Sequence, residues 1–190
     1  MAYSTRSRRS APRKHLWNWG ITLGSVAFCL LILPTRLPGM ELLGVSPNWL
    51  LIWVVAWSVS RTVFESAIAG LVLGLLQDSL TASYPTHALG LMITGILTAR
   101  LQQRHYLQGD IISIALIVFG MAIVAETAMA LQFTVQSLFL PNSLYASLSQ
   151  IWVYHQKVAL SSAILSSLWA PALYYPLKHW WERYRPSNKP

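Results

Sequence analysis

Long stretches without Asp, Glu, Lys or Arg alternate along the chain with short charged punctuation. Lys14 to Arg36 encloses 21 such residues, Glu41 to Arg61 19, Glu65 to Asp78 12 and Asp78 to Arg100 21. Asp110 to Glu126 encloses 15, Glu126 to Lys157 30 and Lys157 to Lys178 20. A helix that crosses hydrocarbon needs about 20 mostly apolar residues, because the layer is ~30 Å thick and each residue rises 1.5 Å. The pattern predicts six helices, over 16–33, 47–60, 64–80, 86–102, 111–133 and 151–177. The second and third are short and separated only by Arg61-Thr62-Val63, so a single re-entrant hairpin is the alternative there. Pro34, Pro38 and Gly39 end the first helix, and Pro47 suits the first turn of the second. Ser83-Tyr84-Pro85 and Leu140-Pro141-Asn142 supply the other breaks. Pro171 removes a backbone donor within the last helix, where a kink is expected.

Composition turns these helices into membrane spans. Of 190 residues, 54% are apolar and 11% charged, against about 25% charged in a soluble domain. The six acidic residues cannot solvate a globule of this size, which excludes an ordinary soluble enzyme. The single cysteine, Cys29, excludes a disulfide framework and a cysteine-based zinc site. The fold class is therefore all-α: a polytopic membrane protein with a basic tail (1–15), a six-helix transmembrane domain (16–180) and a second basic tail (181–190).

The net charge of +8 resembles a nucleic-acid signature until the cations are located. They lie at the chain ends and in the short gaps, as at a membrane surface. Basic loops stay cytoplasmic. With six spans and both termini inside, twelve of the fourteen Lys and Arg fall on the inner side. Arg36 is then in an outer loop and Lys157 within a helix. The first helix has the basic start and apolar run of a secretory signal. However, Leu33-Pro34-Thr35-Arg36 lacks a small-residue cleavage pattern, so the segment is expected to remain as a span. Trp17, Trp19, Trp180 and Trp181 fit an inner aromatic belt. Trp49, Trp53 and Trp57 recur on one face of the second helix, as a lipid-facing or packing stripe or as a surface on which a ligand stacks.

Ionisable groups within spans are the natural places to look for function. Glu126 lies about 23 Å into a helix rising from the inner side, and Lys157 about 9 Å into one descending from the outer side. Their depths coincide, so an intramembrane ion pair between Glu126 and Lys157 is expected, with a role in register or in proton or substrate coupling. Asp78 at the end of the third helix, His87 at the start of the fourth, and His155 complete an outer polar cluster. No two of these stand at metal-ligand spacing on one helix, and interfacial histidines with a solvated aspartate are the plainer reading. No motif for hydrolysis, nucleotide binding or metal-dependent catalysis is present, so neither an enzyme nor a cofactor site is expected. The serines of the last helix and the pairs Gly20-x-x-x-Gly24 and Gly70-x-x-x-Gly74 suit helix packing.

At Gly70-Leu-Val-Leu-Gly74-Leu-Leu-Gln-Asp78 the chain resembles the rod shape-determining protein MreD family. Members carry a glycine-rich third helix ending in a G-L-x-x-D element and a His-Ala-Leu opening of the fourth, matched here by His87-Ala88-Leu89-Gly90. Pro47-Asn48-Trp49-Leu50-Leu51 is similar to the family's start of helix two. Where the family often has glycine before that histidine, this chain has Thr86. The resemblance implies a non-enzymatic membrane scaffold of the cell-elongation machinery. Its partners would be an MreC-like protein, MreB filaments, RodA and a penicillin-binding protein, in the plasma membrane. Gly70, Gly74 and Asp78 carry over as helix-packing and turn-forming positions. It also implies a fold similar to the substrate-binding subunits of energy-coupling factor transporters. The alternative function is accordingly a membrane subunit that binds a vitamin, with Asp78, Glu126, His155 and the tryptophans lining its pocket.

Overall fold

The computed structural model describes residues 11–35, 39–81, 86–103, 110–139 and 148–184. The described chain is six helices: α1 (Ala11–Ile32), α2 (Trp49–Ser58), α3 (Val63–Thr81), α4 (His87–Gln103), α5 (Ile111–Phe139) and α6 (Leu148–Tyr184). α2 and α3 are separate helices joined at residues 59–62. Val63–Thr81, Ile111–Phe139 and Leu148–Trp181 are each long and apolar enough to cross a membrane. The expected breaks at 83–85 and 140–142, together with Pro38, Arg36, Arg104 and the chain ends, lie outside the described residues.

Helix ends depart from the expected bounds most in α5 and α6. α5 runs to Phe139 and α6 to Tyr184, because a helix persists after its composition turns polar, whereas a hydrophobic run marks only the part matched to lipid. The helical segments also reach into the stretches assigned to the two tails. α6 continues through Pro171 and Pro176.

Start signals are explicit in the middle of the chain. Asn48 caps α2, its Oδ1 accepting from the Leu51 amide at 3.0 Å, so Pro47 precedes the cap instead of occupying the first turn. At α3, the Glu65 amide donates to Thr62 Oγ1 at 3.3 Å and the Thr62 amide to Glu65 Oε2 at 3.2 Å. This reciprocal pair satisfies two of the amides a helix start leaves open.

α2 is the centre of the molecule. A helix apolar on every side must be enclosed on every side, and Leu50, Leu51, Val54 and Val55 are fully buried. α3 and α4 form an antiparallel pair, α4 lies against α5, α5 against α6, and α1 covers α2 beside α6. The tryptophan stripe faces protein. Trp49 meets Trp169 at 5.7 Å between ring centres, and Trp57 meets Trp181 at 5.1 Å. Trp53 Nε1 donates to Ser25 Oγ on α1 at 2.8 Å. Trp181, expected in the inner aromatic belt, packs against Trp53 and Trp57 of α2, while Trp19 is exposed.

Candidate functional site

The third helix meets the fourth along a stripe of small residues. A Cβ on Gly70 would land on the Leu91 carbonyl, and one on Gly74 would overlap Ala88, with the Ala88 nitrogen 2.8 Å away. Ser66 continues the same stripe one turn earlier, its carbonyl occupying the place a Cβ on Gly95 would take. Small residues four apart let two backbones touch, and here they do so at three successive positions, Ser66, Gly70 and Gly74. Gly95 was not singled out from sequence. Its signal was Ser66, which extends Gly70-x-x-x-Gly74 backward by one period. Gly90 does the equivalent for α4 on α5, with the Ala125 carbonyl 3.1 Å from a Cβ there. A Cβ on Gly20 or Gly24 would meet nothing within 4 Å, so among the described residues that pair mediates no close approach.

Asp78 stands one turn beyond Gly74 on the same face and is buried. It is therefore not the solvated loop residue expected, and α3 continues past it to Thr81. Its carboxylate accepts from the His87 amide at 2.9 and 3.0 Å and from the Ala88 amide at 3.1 Å. His87 Nδ1 lies 2.7 Å from Oδ1, and Thr86 Oγ1 donates to Oδ1 at 3.1 Å. A negative group against the first open amides of a helix satisfies both their hydrogen bonds and the helix dipole. Asp78 thus caps α4 from α3. Thr86 contributes a bond to this cap that glycine could not.

The second contact lies between α5 and α6. His155 Nδ1 is 3.2 Å from Glu126 Oε2, and both side chains are buried. Phe133 stacks on the His155 ring at 5.5 Å, and Tyr154 meets it edge-on at the same distance. The expected Glu126–Lys157 pair is replaced by Glu126–His155, and Lys157 is exposed. The reason is angular. Residues two apart on a helix point about 200° from one another, so with His155 facing α5, Lys157 faces away. Matching depth selected the right turn and could not select the side.

The outer polar cluster is thus two separate pairs, Asp78–His87 and Glu126–His155. Among the described residues no group of three His, Cys, Asp or Glu is placed to hold a metal. A cavity of about 480 Å³ opens between α4 and α5, lined mainly by Leu89, Ile93, Leu131 and Val135. It touches Thr86 and Phe133, one neighbour of each pair. Asp78, His87, Glu126, His155 and the tryptophans do not line it.

No curated protein and no solved structure matches this chain. The family model described as rod shape-determining protein MreD matches residues 13–179, from the first turn of α1 to the last turns of α6. The chain carrying this glycine-closed, Asp78-capped helix pair belongs to the rod shape-determining protein MreD family.

Proposed function

We propose that the protein is a non-enzymatic scaffold of the rod-shape machinery. It pairs with an MreC-like protein and so links MreB filaments to RodA and its penicillin-binding partner. Membership of the MreD family supports a role in shape determination. The observation that carries the scaffold reading is the closure of α3 on α4. The most conspicuous motif of the chain, Gly70 to Asp78, is consumed in joining two helices, and its carboxylate is saturated by Thr86, His87 and Ala88. Such a group holds a shape and is not poised to transfer protons or bind a solute.

The same reading places six spans in the membrane with both termini in the cytoplasm. Arg61, Arg100, Lys178 and Arg183 stand at the end of the bundle where α2, α4 and α6 finish and α3 begins. Basic residues on one face select the cytoplasmic side. The short α2 needs no lipid contact of its own, being enclosed by the others.

The cavity between α4 and α5 favours a second reading, a substrate-binding subunit of a vitamin transporter. Its walls are mostly apolar, with Thr86, Gln132 and Gln136 as the polar groups. A solute site ordinarily adds several convergent polar groups to fix orientation, and the four ionisable residues of the two pairs stay outside it. Depletion separates the two readings. Rounded or widened cells with unchanged vitamin uptake are expected. Normal shape with a new vitamin requirement would establish the transporter.

A further inference from the structure

Where α2 ends, Arg61 lays its guanidinium carbon 4.2 Å above the centre of the Trp57 ring. Trp57 in turn meets Trp181 near the end of α6. On α6, Tyr174, Lys178 and Trp181 follow at spacings of four and three, which sets them in one stripe. Lys178 Nζ lies 5.6 Å from the centre of the Tyr174 ring, and Tyr174 is buried against the core. Arg61 therefore lies on the Trp57–Trp181 pair, and Lys178, on the Tyr174 ring, stands three residues before Trp181 at the same basic end of the bundle.

Two donors in this cluster lack acceptors. Arg61 Nε and Trp181 Nε1 are both shielded from solvent and make no hydrogen bond. The contrast with Trp53 is instructive, since its indole nitrogen reaches Ser25 Oγ. Glu65, the carboxylate nearest to Arg61 in sequence, is engaged by the Thr62 amide. Neither Arg61 nor Lys178 takes part in an ion pair among the described residues. A buried N–H without a partner costs stability unless a ligand supplies the acceptor. Two such donors beside two cations call for an anion with several oxygens.

Its position says which anion. Tryptophan and arginine at the end of spanning helices mark headgroup depth, and basic pockets between helices at that depth take lipid phosphates. The geometry points to a binding site for an anionic phospholipid at the α2–α6 end. Its phosphate is held by Arg61, Lys178 and the Trp181 Nε1–H. The site requires only that this end meets a bilayer surface, and it holds whichever proteins assemble around the chain.

Native mass spectrometry of the full chain in mild detergent tests this, with phosphatidylglycerol, phosphatidylcholine and inorganic phosphate as probes. Phosphatidylglycerol is expected to be retained well above phosphatidylcholine. Arg61→Gln and Lys178→Gln should each lower its retention about fivefold, the usual worth of one cation near a lipid surface. Trp181→Phe keeps a ring and removes the donor, and should give a smaller loss, about twofold. Arg183→Gln removes an exposed cation at the same end and should change nothing. Arg61→Lys, which keeps the charge but not the Nε donor, should fall between wild type and Arg61→Gln and supplies a second variant should the latter not fold. Equal retention of the two lipids, or equal losses for Arg183→Gln and Arg61→Gln, would overturn the site. Displacement of phosphatidylglycerol by an equal concentration of inorganic phosphate would assign it to a free anion instead of a lipid.

Discussion

The α3–α4 and α5–α6 pairs are both antiparallel and both carry a carboxylate facing an imidazole, yet they are joined by opposite means. In the first, backbones meet directly at Gly70, Gly74 and Gly95, and Asp78 gathers two amides, a hydroxyl and a ring nitrogen. In the second, no glycine brings backbone onto backbone among the described residues, a Cβ on Gly120 of α5 meeting nothing within 4 Å, and the polar link is the Glu126–His155 contact at 3.2 Å. A joint made of backbone has no rotamer to relax into, whereas a contact between two side chains, such as Glu126 and His155, can adjust. The first should fail abruptly on substitution and the second by degrees.

Enlarging a glycine gives the severest test of that difference. Gly74→Leu should cost about 3 kcal/mol or more, since the overlap is with Ala88 backbone that cannot move aside. Little folded protein is expected after extraction from the membrane. Gly20→Leu, entering open space, should leave yield and thermal midpoint near wild type. Equal tolerance at the two positions would break the comparison.

Removal of the cap comes next. Asp78→Ala leaves the His87 and Ala88 amides unsatisfied in a buried place and should cost about 2–4 kcal/mol. Asp78→Asn retains an acceptor oxygen and should recover roughly half of that. Thermal unfolding of detergent-solubilised protein reads both. An Asn variant as unstable as the Ala variant would mean that charge, rather than capping, holds α4.

The smallest effects belong to α5–α6. A double-mutant cycle on Glu126→Gln and His155→Gln should show a coupling of about 1 kcal/mol. Lys157→Met should stay within about 0.5 kcal/mol and add independently to Glu126→Gln. Coupling of Glu126 to Lys157 in place of His155 would restore the pair expected from depth alone.

That reversal shows what could be read from the chain before its structure. Intervals between charges, with the Pro, Gly and Asn breaks between them, located all six helices, because each apolar run must hide its backbone hydrogen bonds within itself. The Gly70-x-x-x-Gly74 element and Asp78 one turn later share a helical face by spacing alone, so their joint use was legible. Rotation about each helix axis was not. It decides between His155 and Lys157, and between a lipid-facing and a packed Trp49-Trp53-Trp57. It also decides why Gly70 meets a neighbour and Gly20 none. Where every side is apolar, hydrophobic periodicity carries no azimuth, and partners on distant helices must supply it.

The ten residues of α2 have a bearing on how the chain is made. At 1.5 Å per residue the helix is about 15 Å long, half the hydrocarbon thickness, so it depends on its neighbours for its place in the bundle. Its start is secured from far along the chain: the Asn48 amide donates to Ser166 Oγ, 118 residues later, at 2.9 Å. Trp49 and Trp57 likewise wait for Trp169 and Trp181. During synthesis, then, the central helix spends most of the elongation time without the wall that α6 provides. A chain truncated before α6 is therefore expected to leave this core open on that side and to accumulate less than the full chain.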